Sequence, residues 1–215
     1  MLPTIRYESL LIMSSKKLYV NGCSYTYGHN LPKHLTWPEL LSKRLNLDLV
    51  NQSKNGQSFS GIVWNTIDSL IQENSDETLV VIGFTWSTRY HIRLNDENFD
   101  ISPAYLNPIQ NMENSVVEKF SEFYKELTLK DTKLEHNQNK KLKLDIILLE
   151  SFLKQKGFNY RFVNWNMVED TSNFDTDNII LFDQSWKEKF IDDTSHPTKE
   201  GCENISEVIY DSFNS

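Results

Sequence analysis

The amino-acid sequence predicts an α/β domain, a parallel sheet covered by helices on both faces. Three observations lead there. Short apolar runs alternate with stripes at helical spacing. The connections between the runs are long and helical, as parallel strands require. The seven glycines are about half of what average usage gives a chain of 215 residues, and several fall just after the apolar runs, where the backbone must turn.

The elements follow in order. "LYVNG" (18–22) is a short buried strand, and "WPELLSKRLNL" (37–47) a helix with Trp37, Leu40, Leu41 and Leu45 on one face. "LDLVNQ" (47–52) is the second strand. After the turn "SKNGQS", "SGIVWNTIDSLIQE" (60–73) carries Ile62, Val63, Ile67, Leu70 and Ile71 at helical spacing, and "LVVIGF" (79–84) is the third strand. The stretch 95–115, with Asn, Pro and acidic residues, reads as an irregular excursion. Two helices are expected at 116–129, striped by Val116, Phe120, Phe123, Tyr124 and Leu127, and at 142–156, stopped by Gly157. "YRFVNW" (160–165) is a fourth strand, "NIILFD" (178–183) a short fifth strand or buried loop, and a last helix runs from Pro197 to Phe213.

Composition bounds the function. A chain of this size buries roughly 70% of its unfolded surface in one domain and needs no staples; 17–215 is read as that domain and 1–16 as an N-terminal extension, with Met13 an alternative start. Two cysteines, Cys23 and Cys202, make no disulfide framework, and no cleavable leader is recognisable, so a cytoplasmic protein is expected. No apolar stretch approaches bilayer length, and the net charge of −8 disfavours nucleic acid and anionic membranes as partners. The one locally basic segment, "KDTKLEHNQNKKLK" (130–143), reads as a solvated connection between helices.

In an open α/β sheet the ligand site lies beyond the carboxyl ends of the strands. Ser24 follows strand one, Gly56 strand two and Thr85 strand three, while His196 precedes the last helix, so these four are candidates for one site. Each has a plainer reading alone: a serine after a strand is usually a turn or cap residue, and "DTSHP" is also an ordinary capped helix start. In "DDTSHPTKEG" (192–201), Asp193 and His196 sit on one turn with Pro197 as the first helical residue. Serine chemistry needs that combination, because a hydroxyl is a weak nucleophile until an imidazole takes its proton, and a carboxylate fixes the imidazole's tautomer.

Together these residues resemble the SGNH (GDSL-like) hydrolase superfamily, over nearly the whole chain. The resemblance implies a three-layer, flavodoxin-like α/β/α fold and a serine hydrolase of the esterase or carbohydrate O-deacetylase type. "GCSYTYG" stands at the nucleophile block, implying Ser24; "NQSKNGQS" at the second block, implying the Gly56 amide in an oxyanion hole; and Asp193-x-x-His196 at the last. The third block departs from the family's Gly-x-Asn-Asp, reading "GFTW", so Thr85 takes the place of the Asn donor, with Ser87 or Arg89 placed to compensate. Cys23 stands where the family usually has Asp. The implied site is therefore Ser24, His196 and Asp193 for catalysis, with the Ser24 amide, the Gly56 amide and Thr85 for the oxyanion. On the same reading, Trp86, Arg89 and Tyr90 are expected to shape the pocket for a small-molecule or carbohydrate ester.

Other readings remain beside this one: a binding or assembly protein that keeps the fold without efficient chemistry, and a cysteine enzyme using Cys23 with His196. "NGCSYTYG" fits neither the P-loop nor the dinucleotide fingerprint. Histidines at 29, 34, 91, 136 and 196 have no metal-ligand spacing, so neither metal nor cofactor is expected.

Overall fold

The computed structural model describes residues 15–94, 97–101, 119, 123, 134–165 and 176–214. In chain order the strands are β1 (Lys17–Asn21), β2 (Asp48–Asn51), β3 (Thr78–Gly83), β4 (Tyr90–Leu94), β5 (Glu97–Ile101), β6 (Asn159–Asn164) and β7 (Ile179–Leu181). The helices are α1 (Ser24–Tyr27), α2 (Trp37–Leu45), α3 (Phe59–Leu70), α4 (Leu134–Lys156), α5 (Gln184–Phe190) and α6 (Lys199–Asn214). Five strands form one parallel sheet in the order β2-β1-β3-β6-β7, the flavodoxin-like arrangement in which the winding direction reverses between β1 and β3.

The alternation of side chains along each strand divides the core into two layers. Leu18, Val20, Leu79, Val81 and Val163 face one side, where Trp37 and Leu41 of α2 and Ile205, Ile209 and Phe213 of α6 cover them. Tyr19, Val80, Ile82 and Phe162 face the other, under Ile62 and Val63 of α3 and Ile146, Leu149 and Leu153 of α4. All six residues of β3 are buried, as a central strand covered on both faces should be. No helix among the described residues is long and apolar enough to cross a membrane.

The sheet and its covering helices match the sequence reading to within a few residues, save for α4. That helix starts at Leu134, eight residues before the expected 142, and absorbs most of the basic segment read as a connection. Glu, Gln and Lys are good helix formers when solvated, and further along Asp145 pairs with Lys141 one turn before it and accepts from Ser60 of α3. The predicted helix 116–129 lies outside the described residues except for Lys119 and Phe123, which are helical.

The expected irregular stretch beyond 95 includes half of a hairpin: β4 and β5 pair antiparallel from Tyr90↔Ile101 to Leu94↔Glu97. Its sequence shows no apolar run because the polar residues themselves dock it. Asp100 Oδ1 accepts from Ser58 Oγ at 2.6 Å and lies 3.1 Å from His91 Nδ1, over the first turn of α3. Pro197 is not the first residue of the last helix. It pairs with Ile191 in an isolated bridge, and Thr198 Oγ1 caps α6 by accepting from the Gly201 amide at 3.1 Å.

Where β1 and β3 end, both strands finish next to a glycine, and Thr26 of α1 fills the space between them. A Cβ on Gly22 or on Gly83 would overlap the Thr26 hydroxyl. Gly83→Ala should therefore lower the urea unfolding midpoint without changing the slope, by about 1–3 kcal/mol for an overpacked site. Adding Thr26→Ala, which removes the overlapping oxygen, should restore part of the loss; equal midpoints for wild type and Gly83→Ala would show that the strand end has room to spare.

Candidate active site

The reversal between β1 and β3 opens a crevice at their carboxyl ends, and four segments reach it. Asn21 fixes the end of β1: its Oδ1 accepts from the Gly22 amide at 2.9 Å, while its Nδ2 donates to Ile62 O and Thr66 Oγ1 of α3. The loop after β2 is tied alongside by Lys54 N, which donates to Gly22 O at 3.2 Å. Backbone geometry thus sets the first two segments before any reactive side chain is considered.

Ser24 opens α1, a helix of four residues stopped by Gly28 at φ 80°. It is only 7% exposed, and as a first helical residue its N–H makes no hydrogen bond among the described residues. Gly56, at φ 76°, also leaves its N–H without a described partner. Thr85, fully buried just beyond β3, accepts at Oγ1 from Arg89 Nη1 at 2.6 Å.

His196 arrives on a tight turn organised by Asp192. That carboxylate accepts from the Thr194 amide (2.9 Å), the Thr194 hydroxyl (2.6 Å) and the His196 amide (3.2 Å), bonds that hold its pKa below the usual carboxylate range, the Thr194 hydroxyl foremost. Ser195 takes φ 63°, an uncommon conformation for a residue with a side chain. The imidazole Nδ1 lies 2.8 Å from Thr194 O. A carbonyl only accepts, so Nδ1 carries the hydrogen and Nε2 keeps its lone pair. Burial lowers the His196 pKa, and the neighbouring His29 and Arg89 push the same way against the Thr194 carbonyl and Asp192.

The residues expected from sequence come together unevenly. The ring of His196 packs on Tyr25, the residue after Ser24, at 5.6 Å between centroids, and on His29 at 4.6 Å; Asn30 Nδ2 reaches Thr194 Oγ1 at 3.5 Å. No hydrogen bond joins Ser24 Oγ to His196, although such bonds are often long before substrate is bound. Asp193 is exposed and makes no hydrogen bond or ion pair among the described residues. Arg89 is partly buried, with Nη1 donating to Thr85 Oγ1 and Gln57 O. Trp86 is exposed, with Lys187 Nζ of α5 5.7 Å from its ring centre, and Tyr90 is exposed at the start of β4.

Cys23 is 1% exposed and its thiol is directed at Phe84 O at 3.8 Å, within the core and not toward the crevice. The other thiol, Cys202, is pushed up to about 11 by burial. Among the described residues no group of three or more His, Cys, Asp or Glu is placed to hold a metal.

Sequence reasoning missed His29. Its amide donates to Ser24 O at 3.2 Å and its Nδ1 lies 3.1 Å from Asn55 Nδ2, so it bridges the loops after β1 and β2 beneath the His196 ring. The available signal was its position directly after Gly28, the stop of the helix that Ser24 begins.

No family model matches the chain, and no curated protein does. Solved structures do. A psychrotrophic esterase from Pseudoalteromonas sp., in a form inhibited by monoethylphosphonate, superposes with TM-score 0.57 at 14% identity, covering 93% of this chain and 97% of that one. A member of the lipolytic G-D-S-L family from Veillonella parvula superposes with TM-score 0.56 at 11% identity, covering 93% and 99%. The chain therefore has the three-layer α/β/α fold of the SGNH (GDSL-like) hydrolases.

The environment of His196 has a measurable consequence. An NMR titration of its ring should give a midpoint below the ordinary histidine value of about 6.5, leaving the ring neutral at pH 7; a midpoint at or above that value would mean the ring is not buried as described.

Proposed function

We propose that the protein is a serine hydrolase acting on small-molecule or carbohydrate esters. The observation that carries this reading is the pair of unused amides, Ser24 N–H and Gly56 N–H, at the crevice where the fold reverses, with a neutral imidazole on the adjoining loop. Two backbone donors without partners at a strand end form a receptor for developing negative charge.

In this reading Ser24 Oγ attacks the ester carbonyl carbon while His196 Nε2 takes the hydroxyl proton. The carbonyl π electrons move onto oxygen, where the Ser24 and Gly56 amides and the Thr85 hydroxyl receive them. Collapse of this intermediate expels the alcohol, protonated by His196, and leaves an acyl-serine. Water, deprotonated by His196, then releases the acid and restores Ser24. Trp86 and Tyr90, exposed beside the crevice, line the approach for the acyl or sugar group.

The third member of the triad is the point at which geometry and motif differ. The motif nominates Asp193, whereas the hydrogen-bond partner of Nδ1 is the Thr194 carbonyl. A carbonyl there fixes the same tautomer that a carboxylate would, although it supplies less charge to balance an imidazolium. We assign the orienting role to Thr194 O. Asp193→Asn should then keep activity within about tenfold of wild type, since loss of a true triad carboxylate costs about 10⁴-fold; a loss of that larger size would return the role to Asp193.

Hydrolysis of p-nitrophenyl acetate and labelling by an active-serine phosphonate test the whole reading. Both should vanish in Ser24→Ala, with turnover falling by roughly three or more orders of magnitude, and both should survive Cys23→Ser. Ligand binding without Ser24-dependent turnover would instead identify a binding protein that retains the fold. Loss of activity in Cys23→Ser alone would favour the thiol.

A further inference from the structure

Thr85 occupies a position at which a longer amide donor would be expected, and its hydroxyl is short and free to rotate. Left alone, such a hydroxyl donates or accepts with equal ease, and it is a poor preorganised donor. The structure removes that freedom.

The turn Trp86–Arg89, closed by Arg89 N to Trp86 O at 3.3 Å, folds Arg89 back over Thr85. Arg89 Nη1 donates to Thr85 Oγ1 at 2.6 Å and to Gln57 O at 3.2 Å. A guanidinium has no acceptor, so Thr85 must accept from it, and the Thr85 proton is left to be given elsewhere. That proton has no acceptor among the described residues. A hydroxyl that accepts a charge-assisted bond is also polarised toward stronger donation.

Arg89 itself is unusual. It makes no ion pair with any carboxylate among the described residues, and its Nε is buried without a partner. A half-buried cation without a counter-ion carries a desolvation penalty, which a charge developing nearby during reaction would offset. The same nitrogen that holds Thr85 also holds the residue after Gly56, so one guanidinium fixes the second and third loops of the crevice against each other.

We propose that Arg89 is a positioning residue that makes the Thr85 hydroxyl an obligate oxyanion donor, rather than a residue that binds the substrate directly. This rests on the serine-hydrolase reading above. It replaces the missing amide donor by a pair, Thr85 and Arg89, four residues apart on one turn.

Steady-state kinetics with p-nitrophenyl acetate on Arg89→Met, Arg89→Lys, Thr85→Val, Thr85→Ser and the Arg89→Met/Thr85→Val double variant test the proposal. Arg89→Met and Thr85→Val should each lower kcat about a hundredfold, the effect of losing one oxyanion donor. KM should change by less than about threefold, because only the transition state is affected. Thr85→Ser and Arg89→Lys, which keep the hydroxyl and a donor, should recover most of the turnover. The double variant should be no slower than the slower single one, as expected for residues acting as a unit.

A raised KM with unchanged kcat in Arg89→Met would overturn the proposal and make Arg89 a substrate contact. Losses that multiply in the double variant would overturn it too, as would full turnover in either single variant. Should Arg89→Met fail to fold, Arg89→Gln, which is too short and uncharged to hold Thr85 in the same way, takes its place in the same cycle with Thr85→Val. Ser24→Ala separates the two levels: turnover that depends on Ser24 but ignores Arg89 removes only this pairing, whereas turnover that survives Ser24→Ala, or none in the wild type, removes the serine reading and the pairing together.

Discussion

Thr26 fills the space that two absent side chains leave. Gly22 and Gly83 end neighbouring parallel strands, and neither could carry a Cβ without displacing the Thr26 hydroxyl. The constraint is steric, and it acts at the one place where the winding of the sheet reverses. By drawing α1 down between β1 and β3, it sets the height of Ser24 above the sheet and keeps the residues after β3 close to it. The loop after β2 joins this arrangement through Lys54 and Gly22, and the loop after β3 joins through Arg89 and Gln57. Each later feature of the crevice depends on those strand ends being close together.

A graded scheme of hydrogen bonding lies over that steric base. Backbone groups at the strand ends are satisfied by Asn21, which reaches from β1 to α3. The turn that carries His196 is satisfied by Asp192, which accepts three bonds from its own loop. The amides of Ser24 and Gly56 are left without partners among the described residues, and the Thr85 hydroxyl accepts from Arg89 alone.

Much of this architecture was legible in the sequence. β1, β3 and β6 are buried on both faces and read as continuous apolar runs, and α2, α3 and α6 show their stripes plainly. The hairpin β4–β5 was not legible, because Asp100 and His91 hold it by polar contacts that periodicity does not register. α5 was missed because it is seven residues long and announced only by Asp183, whose carboxylate caps it at the Trp186 amide. The sequence places Ser24, Gly56 and Thr85 just after strands and His196 just before the last helix, and the structure keeps those placements. The roles of Asp192 and Asp193 were not legible. They are adjacent and chemically identical, and only the turn that puts Ser195 at positive φ decides which one points inward. The Thr85–Arg89 bond likewise depends on a turn that no spacing rule specifies.

The order of the strands leaves β2 and β7 at the two margins of the sheet. An unpaired margin is a template on which another chain can add a strand, the usual route to edge-to-edge aggregation. Here one margin is four residues long and begins at the exposed Asp48, and the other is only three residues long. A stranger docking on either would gain a few ladder bonds and, at the first, a carboxylate to desolvate. Among the described residues the sheet thus carries its long buried strands in the middle and keeps its borders short, which limits what an edge-to-edge contact could gain.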